Sequence, residues 1–123
     1  WHWALERDGA TQVSSRFDKL TGRKMQPADW DVWIAVKSLV TTVMKSPSAD
    51  PSAVRGFVTS DRLRLDGSKG VTLNYRPWDG QLRQPILLAT TEAVIAIAPI
   101  EGFSHRTDTL DTLGTDEAEF VCN

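Results

Sequence analysis

The sequence is short of sulfur, of histidine and of charge in excess. Its 123 residues hold one cysteine, Cys122, and two histidines, His2 and His105. One cysteine excludes a disulfide framework within the chain. No C-x-x-C or H-E-x-x-H spacing offers a metal site. The formal net charge is -2, from 14 Lys and Arg against 16 Asp and Glu. That balance leaves no electrostatic footprint for nucleic acid or an anionic membrane, and no nucleic-acid partner is expected. The longest apolar run, Ala93 to Ile100 with Pro99 inside it, is far too short to span a bilayer. A glycine-rich phosphate loop and a G-x-S-x-G elbow are both missing. Asp18, Asp29, Asp31 and Asp79 offer carboxylates, but any chain this acidic does so. No catalytic residue, metal or cofactor is therefore assigned, and the chain reads as a non-enzyme.

What is present suits one soluble domain: 41% hydrophobic and 24% charged residues. Position 1 is Trp, not Met, and no leader pattern follows. The chain reads as a mature product or as a piece of something longer. The abrupt Trp1-His2-Trp3-Ala4-Leu5 favours the second. Cys122 then reads either as half of a bond to a missing part or as a free thiol at the end.

Helical patterns come first. Asp8 is placed to cap a helix from about residue 8 to 20, with Val13, Phe17 and Leu20 as a narrow apolar stripe and Gly22 as its stop. Pro27, Asp29 and Asp31 open a second helix, which Ser46-Pro47 ends. Trp30, Trp33, Ile34, Val36, Leu39, Val40, Val43 and Met44 give it a wide apolar face, so burial on more than one side is expected. Asp50-Pro51 starts a third helix reaching about residue 59, with Val54, Phe57 and Val58 inward.

The period then changes. Leu63 and Leu65 alternate with arginines, and Val71, Leu73 and Tyr75 alternate with Thr72 and Asn74, as in half-buried strands. Asp66-Gly67 and Lys69-Gly70 supply turn chemistry. Residues 86–90 and 93–98 are apolar on both faces and are expected to be the more buried pair. From residue 99 the pattern is irregular and acidic. His105 beside Asp108 and Asp111 reads as a solvated tail rather than a site. The division is thus 1–98, an α/β segment of helices then mostly antiparallel strands, and 99–123, a wrap over the same domain.

Tryptophan is the one abundance, five in the chain. Trp30 and Trp33 share a helix face, which suits either a ligand wall or core packing. Trp78 lies in the stretch Arg76-Pro77-Trp78-Asp79-Gly80, with Arg83 close behind. A turn tryptophan must pack on another element, a ligand or a partner. Its arginines suit a bound carboxylate or a tie to the acidic tail.

The order W-I-A-V-K-S-L at 33–39, D-P-S-A-V-R at 50–55 and L-D-G-S-K-G-V-T-L-N-Y at 65–75 resembles the last third of a type I periplasmic binding protein. These are the branched-chain amino acid class of ABC-transporter substrate-binding proteins. Trp33 stands where that family usually has tyrosine. R-P-W-D-G-Q-L-R-Q-P at 76–85, E-G-F-S-H at 101–105 and L-D-T-L-G-T-D at 110–116 resemble a subgroup associated with quinoprotein (PQQ-dependent) alcohol oxidation. The resemblance implies the C-terminal lobe segment of a two-lobed periplasmic protein that docks on a membrane permease. Its small organic or amino-acid-like ligand would sit in a cleft formed mostly by residues outside this chain. Asp29 and Trp30, at the start of the helix that faces the cleft, and Trp78 are the expected ligand contacts. Residues 76–85 become a crossover and hairpin connector. Apolar surfaces meant for missing neighbours would drive a homodimer. The alternative role is a sensing or protein-interaction module of an alcohol-oxidation pathway, without transport.

Overall fold

The computed structural model describes residues 1–122; Asn123, last in the expected tail, lies outside the described residues. Three helices precede five short strands: α1 (Ala10–Thr21), α2 (Pro27–Lys45), α3 (Pro51–Val58), β1 (Leu65–Asp66), β2 (Thr72–Tyr75), β3 (Leu82–Arg83), β4 (Ile86–Ala89) and β5 (Val94–Ala98). A single 3-10 turn, Thr109–Thr112, follows in the tail. The class is α/β, with antiparallel strands in the order β1-β2-β3 and a separate β4-β5 hairpin.

Helix α2 begins and ends where proline and cap chemistry place it. Pro27 fills the first turn, and the Asp29 carboxylate accepts the Gln26 backbone N–H at 2.8 Å. Helix α1 starts later than Asp8. Asp8 and Gly9 both adopt left-handed backbone, at φ 58 and 80, and Asp8 makes no cap hydrogen bond. Its carboxylate instead lies against Gly70, where a Cβ would come within 2.7 Å of it. Gly22 does stop the helix, with φ 70 and its N–H donating to the Asp18 carbonyl.

The core joins α2 to the three-stranded sheet through Met25, Trp30, Ile34, Phe57, Leu63, Leu65 and Leu73. Trp30 is fully buried, and its Nε1 donates to the Gly67 carbonyl at 3.1 Å. Gly67 has to be glycine, because a Cβ there would run into Leu73 and the Trp30 ring. Trp1 stacks on Trp30, with centroids 6.0 Å apart.

Two burial expectations are corrected. The first concerns α2, which is packed on one side, along Trp30, Ile34, Ser38 and Thr42. Val32, Val36, Leu39, Val40 and Val43, on the opposite side, are each at least half exposed. The helix thus turns hydroxyls inward and aliphatic groups outward over its second half. The second concerns β4-β5, which is less buried than β1-β2. Ile95 is 68% exposed, whereas Leu65 and Leu73 are sealed. The reason is topological: the core layer covers β1-β2, while the β4-β5 hairpin forms its own two-stranded sheet.

The inward hydroxyls differ in outcome. Ser38 Oγ donates to the Ile34 carbonyl at 2.7 Å and meets the Tyr75 hydroxyl at 3.0 Å, tying α2 to β2. Thr42 Oγ1 is buried with no hydrogen-bond partner among the described residues. An orphaned buried hydroxyl is costly, and valine has nearly its shape. Thr42→Val should therefore stabilise the fold by about 1–2 kcal/mol. Urea unfolding should show a higher midpoint at an unchanged slope.

Candidate functional site

Three side chains were expected to meet a ligand, and the structure sends them to three different surroundings. Asp29 sits at the start of α2 beside a groove. Its carboxylate accepts from both terminal nitrogens of Arg23, at 2.6 and 2.8 Å. Hydrogen bonds from that guanidinium and from the Gln26 backbone hold its pKa down at about 2. Trp30 lies in the core beneath, with no solvent-facing surface. Its indole is occupied by Gly67, Trp1 and the Lys69 ammonium, 3.9 Å from the ring centroid. The reading of Trp30 as a ligand contact gives way to that of a core residue. Trp78 is half-buried at the far end of the sheet.

A groove opens beside Asp29. It runs between α1 and α2 with a volume of about 660 Å³. Val13, Phe17, Met25, Val32 and Trp33 make its wall, with Arg16 and Asp29 at the polar positions. This size and apolar lining suit a small organic molecule or a side chain from another polypeptide. Beyond it the exposed aliphatic face of α2 continues for three turns, and Met44 at its end is 81% exposed. The five aliphatic residues there cover an arc of about 100° on a helical wheel, which is the width of a core-facing stripe.

Around Trp78 the stretch 76–85 forms a tight hairpin. The Arg76 N–H donates to the Gln81 carbonyl at 2.8 Å, and β2 pairs with β3 through Asn74–Arg83 and Tyr75–Leu82. This two-residue strand, β3, had no periodic signal in the sequence. Arg76 is 2% exposed. Its Nε donates to Asp111 Oδ1 at 2.9 Å, and Nη2 donates to the Leu110 carbonyl at 3.1 Å and to that of Leu113. Arg83 holds both Asp111 oxygens, at 2.7 and 2.9 Å. Trp78 Nε1 donates to the Thr115 carbonyl at 3.3 Å, with the Arg83 guanidinium 5.0 Å from its ring. The arginines and Trp78 thus bind the chain's own tail. Burial pushes the Asp111 carboxyl up, but hydrogen bonds from Arg83 and Arg76 outweigh it and leave its pKa lowered. Among the described residues, no group of three or more His, Cys, Asp or Glu converges as a metal site. None of their helices is long and apolar enough to cross a membrane.

Sequence reasoning missed Lys69. Placed in a turn, it reads as solvated, yet it is 4% exposed. Nothing local signals this; the cause is Trp30, remote in sequence. It also read Asp111 as part of a solvated tail, whereas its carboxylate is buried between two arginines that lie 28 and 35 residues away.

No family model matches the chain, and no curated protein or solved structure is detectably similar to it.

Asp111 is the single carboxylate shared by both arginines. Asp111→Ala should destabilise the chain by about 1–3 kcal/mol, because it removes the carboxylate that both arginines share and leaves Arg76 with Asp79 at 3.4 Å and Arg83 with Asp108 at 3.9 Å. Since its folded pKa is lowered, the native contribution is complete above the ordinary value near 3.8 and is lost as pH falls through the lowered one. The variant should lose that stretch of acid dependence. Limited proteolysis should also cut the tail around residues 105–116 faster in the variant.

Proposed function

We propose that this chain is a lobe segment of the solute-binding component of an ABC transporter. In this reading it works in the periplasm, is not an enzyme, and delivers a small organic or amino-acid-like ligand to a membrane permease. The sequence resemblance at 33–39, 50–55, 65–75 and 76–116 supports the family. The observation that carries the reading is the two-sided helix α2. Its packed face holds the present core, and its outward face of Val32, Val36, Leu39, Val40 and Val43 lies open. A helix apolar on opposite sides is built to lie between two layers. The second layer is then the remainder of the lobe, and the ligand cleft is formed mostly by residues beyond this chain. Asp29 and the groove beside it lie at the edge of that covered surface. Trp78 serves the tail rather than the ligand.

The same open face favours one other reading, a protein-interaction module of an alcohol-oxidation pathway. There the second layer belongs to a partner protein, and no solute is transported.

Two measurements separate these. The native gene product is screened by thermal shift against amino acids, alcohols, aldehydes and short acids. A ligand at 100 times its dissociation constant adds about 2.7 kcal/mol to the native state. Silence across the whole panel counts against the solute-binding reading. The double substitution Val36→Lys with Val40→Lys is then compared in the native product and in the 123-residue chain. It should destabilise the native product by several kcal/mol and leave the shorter chain's fold almost unchanged. In the shorter chain it should also abolish the dimer that light scattering is expected to show. Equal small effects in both proteins would mean that nothing covers the face.

A further inference from the structure

Lys69 is a buried cation without an anion. Its Nζ donates to Gln84 Oε1 at 2.6 Å and to the Pro85 carbonyl at 3.4 Å, and it rests 3.9 Å from the centre of the Trp30 ring. These are neutral partners. Among the described residues no carboxylate pairs with it. Lysine is almost never this deeply buried unless paired, because neutral dipoles and a ring face replace only part of its hydration. Burial accordingly brings its pKa down to about 8, with Asp31 of α2 pulling the other way. The Trp1 α-ammonium is a second cation close by, and burial and Lys69 together lower its pKa from the ordinary 8.0.

Lys69 and Pro85 both line a depression of about 300 Å³ below the tail. Its other walls are apolar, from Val71, Ile97, Pro99 and Leu110. Arg7 and Asp8 stand at its rim, 4.0 Å apart, with the Arg7 side chain 66% exposed. Two cations against one carboxylate leave the lining with a surplus of one positive charge. The volume is at the small end for ligand sites.

We propose that this depression binds a small monocarboxylate with an apolar body, whose carboxylate supplies the counter-ion that Lys69 lacks. The aliphatic or aromatic body lies against Val71, Ile97 and Leu110. Arg7, with a free guanidinium edge, closes over the second oxygen. The site is made of this chain's own residues. It does not depend on what covers α2, and it is separate from the α1–α2 groove.

The test uses isovalerate and benzoate as probes on the full chain, with isovaleramide and benzamide as uncharged controls. Calorimetry is run at about pH 7 and about pH 9 on the chain with its Trp1 amine acetylated, so that the nearby terminal amine does not titrate, in buffers of different ionisation enthalpy to bracket the Lys69 transition. A bound anion raises the ammonium's pKa, so binding at the higher pH should take up a proton and binding at the lower pH should not. The acids should bind at least about ten-fold more tightly than the amides. Amide resonances of Gly70, Val71 and Leu110 should shift in the unmodified chain. Lys69→Met should fold, since it removes an unpaired buried charge. It should lose about ten-fold in affinity together with the proton uptake. Equal binding of acid and amide, shifts confined to the α1–α2 groove, undiminished binding in Lys69→Met, or no binding up to about 50 mM would each overturn the proposal.

Discussion

Trp30 and Gly67 meet with no room between them. The indole donates to the glycine carbonyl, and the ring takes the space a side chain would need. This contact joins the helical half of the chain to the strands. It fixes where the β1–β2 turn lies, and so drives Ser68 and Lys69 inward beside it. β2 then runs out from this anchor and carries Arg76 to the point where the tail returns. Packing at one tryptophan therefore decides the position of a charge cluster at the other end of the sheet.

The two ends of the fold use different physics. Near Trp30 the contacts are mostly apolar, with one indole hydrogen bond and the Lys69 ammonium against the ring. Near Arg76 the tail is held by charge-assisted hydrogen bonds, with both guanidiniums on one carboxylate and two carbonyls of the 3-10 turn capped by Arg76. Gly114 allows that close approach, since a Cβ there would strike the Arg76 guanidinium. Such a join is specific in geometry, but a buried ion pair contributes less net stability than its count of bonds suggests.

Helix α2 was legible to the residue, because its signals are local: Pro27, the acids Asp29 and Asp31 near its start, and Ser46-Pro47. The α/β class and the antiparallel strands were legible from period and turns. Asp8 misled, since a capping residue type says nothing of its backbone angle. The orientation of α2 was legible only in part. Its sequence is apolar nearly all round, so periodicity could not say that Ser38 and Thr42 would face inward. Strand β3 is two residues long and too short for any period. For the expected ligand contacts, identity was informative and placement was not. Trp30 is claimed by the core, Asp29 by Arg23, and Trp78 by the tail. Each choice depends on residues far away in sequence or on a competing local partner.

The β4–β5 hairpin has one more consequence. Among the described residues it is a two-stranded ribbon with no further strand paired to it, so each strand keeps an open edge. Val94–Ala98 is an uncharged run of β-branched residues and alanine, bounded by Pro99. A proline, a bulge or a lysine normally guards such an edge, and here Pro85 and Pro99 flank one end while the irregularity between Leu88 and Ala89 interrupts the strand. At high concentration this ribbon, rather than the folded core, would set how long the chain stays in solution. Sheet-like aggregates would start there by strand addition.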